Sequence, residues 1–378
     1  MRSDEGWYLD DGGTLVVDGF VPCADEVPWQ QIADQVHAVS VQSGAQAERL
    51  DRLFAGCRHL TAVDGMENLT CLGGAGADDA SEMFAGCSEL RRIDLSAFDT
   101  SRVRSAWGMF QDCRELREVV LPARGFPELR EAGSMFRGCR SLLSFDFSAL
   151  GAPNLEDASD FFRMCTWLDE VSFADARTGR LVTTERMFYG CRNLARITGA
   201  DSLQTGRIEN LSGMFRFCAR LSQLDCALWD TASVREANFL FSGCLSLSQL
   251  DVSMWRMPRL QTARGMFSST PIDRVDLTGW GAHELTDTSY MFDSCASLRE
   301  VVFGAMDLSG VLRAQSMFDG CTALERIAHE GRGMQNVRNA ARLFFGCKSL
   351  AHVPDGFVDL TQAEDAHRAR EGCPAPLP

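Results

Sequence analysis

Cysteine, aspartate, histidine and tryptophan are the side chains here best suited to chemistry, and their spacing decides what they can do. Fifteen cysteines occur in 378 residues. A zinc or thiol-exchange centre brings thiols together, as in Cys-x-x-Cys, and no such pair is present. Twelve of the fifteen instead share one repeat position, and most successive ones are 26 residues apart. Thiols so arranged read as an internal ladder of small, buried, weakly polar groups. Cys23, Cys71 and Cys226 fall outside that register. The six histidines, His37, His59, His283, His329, His352 and His367, occupy different repeat positions and form no His-Glu-x-x-His set. No Gly-x-Ser-x-Gly elbow occurs, and Gly73-Gly74-Ala75-Gly76 lacks the Gly-Lys-Ser/Thr that would make it a phosphate loop. The reading is a non-enzyme with no cofactor and no metal. Asp64, Asp94, Asp146, Asp225, Asp251 and Asp276 form a further row. Stacked carboxylates repel, so hydrogen bonds from the following turn or a bound calcium ion must hold them. Phe98, Trp229, Trp255 and Trp280 share the next position. Aromatic rings there read as core, with an exposed strip for sugars or protein as the alternative.

The element that positions all of these is the stretch Met83-Phe84-Ala85-Gly86-Cys87-Ser88-Glu89-Leu90-Arg91-Arg92-Ile93-Asp94-Leu95, which returns along most of the chain. Phe110, Phe136, Phe162, Phe188, Phe215, Phe241, Phe292, Phe318 and Phe344 each precede a cysteine by three residues. A fixed period of this size means a solenoid, whose coils bury their apolar sides only against neighbours. After each cysteine comes Leu-x-x-Ile/Leu/Val-x-Leu/Val/Phe, as in Leu90, Ile93 and Leu95, which reads as one short strand per coil. The return half runs through Val103, Ala106, Met109 and Phe110, a spacing that fits a helical or 3₁₀ turn. The expected fold is an α/β repeat solenoid of leucine-rich-repeat-like coils, each with one short parallel β-strand and a helical or 3₁₀ turn.

Residues 1–50 lack the repeat and read as an N-terminal cap. Trp7 to Gly19 reads as two short strands joined by an Asp-Gly-Gly turn, and Pro28 stands near the start of a short helical piece. Residues 51–373 read as a solenoid of about twelve coils and 374–378 as a Pro-rich tail. One coil, Met266-Phe267-Ser268-Ser269-Thr270-Pro271-Ile272, lacks the cysteine and is a residue short, and Ser269 is expected at the ladder position. The last coil, around Gly372-Cys373, has lost its Met-Phe.

Apolar residues make up 45% of the chain, enough for a long core, which argues against disorder. A net charge of −15 disfavours nucleic acid and anionic membranes. Lys348 is the single lysine. No apolar run reaches the 18 residues of a membrane span. The first residues, Met1-Arg2-Ser3-Asp4-Glu5-Gly6-Trp7, lack the basic and apolar regions of a signal peptide.

Met83–Thr100 and Met135-Phe136-Arg137-Gly138-Cys139-Arg140-Ser141-Leu142 resemble the repeats of BspA-like leucine-rich repeat surface proteins. Phe98-Asp99-Thr100-Ser101-Arg102-Val103, Trp229-Asp230-Thr231-Ala232-Ser233-Val234 and the opening Trp7–Leu15 match segments of that family. The resemblance implies a bacterial cell-surface or extracellular protein with an adhesive or host-interaction role. The absent signal sequence and the unpaired thiols point the other way, to an intracellular scaffold.

Two residues after each first strand leucine stand Arg92, Glu118, Ser144, Glu170, Arg196, Gln223, Gln249, Arg274, Glu300, Arg326 and His352. They should line the exposed face of the sheet. The bland expectation is a solvated face whose alternating charges pair between coils. The functional one is a strip that binds an extended protein partner, a host or matrix protein if the resemblance holds. Its residues would be Arg92, Glu118, Glu170, Arg196, Gln223, Gln249, Arg274, Glu300 and Arg326. A glycan partner would use the aromatic row.

Overall fold

The computed structural model describes residues 6–22, 27–71 and 78–376. Cys23, the Gly73–Gly76 stretch and the last two residues of the Pro-rich tail lie outside them. The chain divides into two compact units, Met1–Leu181 and Val182–Pro378. Each is a stack of short parallel strands and turns.

The first unit contains β1 (Trp7–Leu9), β2 (Thr14–Val17), β3 (Phe20–Val21), β4 (Ala38–Val41), β5 (Gln46–Ala47), β6 (Ala62–Asp64), β7 (Thr70–Cys71), β8 (Arg92–Asp94), β9 (Glu118–Val120), β10 (Ser144–Asp146) and β11 (Glu170–Ser172). β1 and β2 are the expected antiparallel hairpin. The Asp10 carboxylate closes its turn by accepting the Gly12 and Thr14 amides, both at 2.8 Å. β2 then pairs in parallel with β4, and β4 with β6, so β1 is the edge strand. β3, β5 and β7 make a second small parallel sheet. A six-residue 3₁₀ helix, Gln30–Gln35, follows Pro28. The second unit contains β12 (Arg196–Thr198), β13 (Arg274–Asp276), β14 (Glu300–Gly304) and β15 (Arg326–His329).

The helical turn expected in every return half is absent among the described residues. Met83 N donates to Ala80 O, Ala85 N to Glu82 O and Cys87 N to Phe84 O, each an i→i−3 turn bond. The alternate amides leave the coil: Glu82, Phe84 and Gly86 donate to Trp107, Met109 and Gln111 of the next one at 2.7–2.9 Å. Glu82 and Gly86 sit at φ of 54° and 77°. A left-handed residue four positions from another is incompatible with a helix, but a type II turn requires one at its third position. The same pair recurs as Ser134 and Gly138, Arg186 and Gly190, and Ser316 and Gly320. The return half is therefore a run of overlapping β-turns. Buried residues at spacings of three, three and one fit that run as well as a helix.

The strand also fails in some coils. Gln223 and Gln249 meet in one isolated bridge. The segment around His352 forms no strand, and Pro354 there has no N–H to give a ladder.

The turn geometry explains the cysteines. Phe110 O accepts the Cys113 amide at 3.1 Å and the Cys139 thiol at 3.1 Å. The arrangement repeats for Cys87 on Phe54 O, Cys165 on Phe136 O, Cys244 on Phe215 O and Cys347 on Phe318 O, at 3.0–3.2 Å. A carbonyl has two lone pairs, and only a small donor fits beside the neighbouring coil. In the cysteine-free coil Thr270, not Ser269, takes the position. Its hydroxyl donates to Phe267 O at 2.6 Å and lies 3.5 Å from the Cys295 thiol. Ser269 is the left-handed residue before it, with φ 57°.

The phenylalanines form a second ladder. In the first unit Trp29, Phe54, Phe84, Phe110 and Phe136 stack at centroid separations of 5.3–6.0 Å. In the second, Phe188, Phe215, Phe241, Phe267, Phe292, Phe318 and Phe344 stack at 5.4–5.9 Å. Nearly all are fully buried. Among the described residues no helix is long and apolar enough to cross a membrane.

Candidate functional site

Parallel in-register pairing places the strip residues side by side. In the first unit Arg92 faces Glu118, and Ser144 faces Glu170. In the second, Arg274, Glu300 and Arg326 are neighbours in that order, and Gln223 faces Gln249. The charges answer one another. Arg92 Nε is 3.3 Å from Glu118 Oε2. Glu300 lies between Arg274 at 2.8 Å and Arg326 at 3.2 Å. Exposed pairs of this kind contribute about 0–1 kcal/mol each. They leave unequal exposure: the Arg326 side chain is 71% accessible and Glu300 only 25%.

The strip lines open depressions. One of about 670 Å³ is bordered by Asp64, Arg92 and Asp94 in the first unit. Another of about 590 Å³, in the second, is bordered by Arg196, Thr198, Gln223, Asp225, Gln249 and Asp251. Both are wide grooves over strand faces, without the enclosure of a catalytic pocket.

Four of the six aspartates in the row are held by turns. Asp94, Asp146, Asp251 and Asp276 accept the amides of Ser96, Ser148, Ser253 and Thr278 at 3.0–3.1 Å. The Ser96 hydroxyl and amide, then Arg92, hold the Asp94 carboxyl below its ordinary range. The Ser253 hydroxyl and amide do the same for Asp251. At Asp276 partial burial works upward, and Thr278 and Arg274 outweigh it. A second series repeats the device: Asp99 with Ser101, Asp230 with Ala232, Asp307 with Ser309 and Asp359 with Thr361, at 2.8–3.1 Å. The signal for this was the recurrent Asp-x-Ser/Thr, which every pair but Asp230 with Ala232 carries. Among the described residues no group of three or more His, Cys, Asp or Glu stands close enough to hold a metal ion. Calcium titration is accordingly expected to leave the melting temperature unchanged; a rise of several degrees at millimolar calcium would contradict the turn assignment.

Trp229, Trp255 and Trp280 are at most 4% exposed and stack at 6.0 and 6.2 Å. Their indole N–H groups donate to Ala200, Cys226 and Val252 carbonyls of other coils. Phe98 is equally buried. The row is core, so it offers no platform to a glycan. Among the described residues the exposed aromatics are elsewhere, at Phe20, Trp107, Trp167 and Phe217. The histidines do not converge. His37 stacks on His59, which meets Glu89; His329 reaches Met306 O; His367 reaches Asp365.

Sequence reasoning missed an arginine–aromatic stack in the second unit, where Arg216 and Arg264 lie against the ring of Phe239. Its signal was Phe217 standing where most coils have the glycine before the cysteine.

No curated protein sequence matches the chain. Several solved structures are similar to it. A leucine-rich repeat protein from Bacteroides ovatus is 16% identical, with 93% of this chain and 82% of that one covered and a TM-score of 0.46. A leucine rich cell surface protein from Faecalibacterium prausnitzii is 16% identical over 87% and 94%, with a TM-score of 0.34. The pneumococcal vaccine antigen PcpA is 11% identical over 96% of each chain, with a TM-score of 0.35. A family model described as "Mycoplasma protein of unknown function, DUF285" matches residues 50–173, 182–302 and 271–373, nearly all of the repeat, and the chain belongs to that family.

Proposed function

We propose that this protein is a non-catalytic, protein-binding repeat solenoid that receives an extended partner along the exposed faces of its short strands. The observation that carries the reading is the register of the strip: Arg92, Glu118, Glu170, Arg196, Gln223, Gln249, Arg274, Glu300 and Arg326 repeat once per coil, and Arg92, Glu118, Arg196, Gln223 and Gln249 border open grooves. Recognition then comes from many modest contacts spread over a preformed face, with Arg92, Glu118, Arg274, Glu300 and Arg326 held by a neighbour's charge. Residues 1–50 serve in this reading as the cap, with β1 closing the edge of the first sheet. The BspA-like resemblance of the repeats supports a place at the bacterial surface or outside the cell, with adhesion as the role. Fourteen cysteines among the described residues form no disulfide, which favours the second reading, an intracellular scaffold.

The test is a photo-crosslinking residue placed at Gln249 or Gln223, and separately at Trp107, in the native host. Adducts of one discrete mass from positions 249 and 223 but not 107 are expected. Adducts from all three positions, or from none, would remove the strand face as the binding surface. Protease treatment of intact cells decides between the two compartments: digestion is expected for a surface protein, and full protection beside a digested surface control would select the scaffold.

A further inference from the structure

The turn face of the second unit carries a feature unrelated to the strand-face strip. Arg216 Cζ lies 4.3 Å from the Phe239 ring centroid and 4.9 Å from that of Phe217. Arg264 Cζ lies 5.8 Å from the same Phe239 ring and 5.1 Å from Tyr290. Two guanidinium groups thus share one phenyl ring, each also touching a second aromatic. Tyr189 packs edge-on against Phe217 at 5.5 Å.

The stack is built into the backbone. Phe217, Phe239 and Tyr290 occupy left-handed positions, with φ of 64°, 56° and 61°. Bulky side chains are uncommon there and cost free energy. The rings have been given room by glycines. A Cβ on Gly243 would stand 2.5 Å from Phe217 Cδ1, and one on Gly265 would stand 2.4 Å from Phe239 Cδ1. Both rings therefore lie flat on the next coil.

The same fold shows what such arginines take. At the ring of Phe345, Arg342 and Arg368 stack at 3.8 and 4.6 Å. Each is bound by a carboxylate: Arg342 Nε meets Asp319 at 2.6 Å, and Arg368 grips Glu371 through Nε and Nη2 at 2.5 and 2.9 Å. Arg216 and Arg264 have no carboxylate partner among the described residues, and Arg216 Nε is buried without any hydrogen bond. In a chain of net charge −15, two stacked guanidiniums left unanswered stand out. Stacking holds each fork flat and preorganises its edge for bidentate binding.

We infer that this patch, centred on Phe239 with Arg216 and Arg264, is a docking site for an acidic segment of a partner protein, whose carboxylates take the places that Asp319 and Glu371 take at Phe345. It is a second binding surface, independent of the strand-face strip.

The probe is a fluorescein-labelled decaglutamate peptide, followed by anisotropy at low salt. Wild-type protein is expected to bind it, and Arg216→Gln/Arg264→Gln to weaken binding at least tenfold with an unchanged urea midpoint. Arg216→Lys/Arg264→Lys, which keeps the charge but loses the flat fork, should lie between. Arg92→Gln/Arg326→Gln on the strip should bind as wild type does. Absence of binding, or equal binding by the Arg216→Gln/Arg264→Gln variant, overturns the assignment. So does self-association by sedimentation velocity that this variant abolishes, since the occupant would then be a second copy of the chain.

Discussion

Phe136→Ala is expected to destabilise the first unit by about 3–5 kcal/mol, the usual loss for a fully buried phenylalanine truncated in a core that cannot collapse around the gap. Phe136 is wholly buried and touches four other rings: Phe110 at 5.3 Å, Phe162 at 5.9 Å, Phe145 at 5.1 Å and Phe161 at 5.5 Å. Collapse is blocked because the backbone on both sides is pinned. Phe136 N donates to Phe161 O at 2.9 Å, and Phe110 N donates to Met135 O at the same distance. The coils cannot close the space without breaking these bonds. In a stacked architecture each coil rests only on its neighbours, so the damage enters both adjoining interfaces. Urea unfolding by circular dichroism checks the figure. Trp167→Ala is the control: its side chain is similarly large, but Trp167 is 62% exposed, and truncation should change stability by about 0.5 kcal/mol or less. If the two variants unfolded at the same urea concentration, the ring ladder would not be the core of this unit.

The ladders were legible in the sequence for a plain reason. A solenoid core presents the same cross-section at every coil, so burial forces the same residue type to the same place. Phe84 to Phe344 and the cysteines three residues later obey that demand. The turn conformation was not legible, because the buried set Val103, Ala106, Met109 and Phe110 satisfies a helix and a run of tight turns alike. The discriminating residues lay outside that apolar set. Glycine before the cysteine, with Glu82, Ser134, Arg186 or Ser316 four residues earlier, marks the two left-handed positions that a helix would not contain. Gly-Cys was read as part of a repeat motif when it was a backbone signal. The aspartates divided in the same way. Asp94 and Asp251 were visible as a row, and Ser96 and Ser253 two places on were the clue to their turn bonds. The arginine–aromatic stack escaped because its members come from different repeat positions. Arg216, Phe239 and Arg264 meet only once the turn geometry sets adjacent coils against each other.

The thiol ladder carries the second large effect, a loss of stability in alkaline solution. Burial pushes the Cys57 and Cys244 thiols from an ordinary 9.0 up to about 12, and Cys295 to about 11. It drives Cys87, Cys139, Cys218 and Cys321 well above 9.0, with neighbouring cysteines adding to the shift. The physical cause is double: a thiolate in this interior would lose its hydration, and it would also lose the proton it donates to a phenylalanine carbonyl. In the unfolded chain the same thiols ionise from about pH 9. The native state therefore holds more protons than the unfolded state between that pH and the folded pKa. Stability is complete below pH 9 and falls as pH rises towards 12. Each buried thiol contributes a slope of about 1.4 kcal/mol per pH unit, and several act together, so the urea midpoint should collapse over this interval. Cys244→Ser isolates the effect. The hydroxyl can still donate to Phe215 O but does not ionise in this range, so the variant should be weaker than wild type at pH 8 and should lose stability less steeply above pH 9 by one thiol's share. Thiolate absorbance at 240 nm checks the premise directly: the buried ladder thiols of the native protein should contribute almost none at pH 10, and full appearance of their signal with a midpoint near 9 while circular dichroism is unchanged would mean that they are not sealed donors.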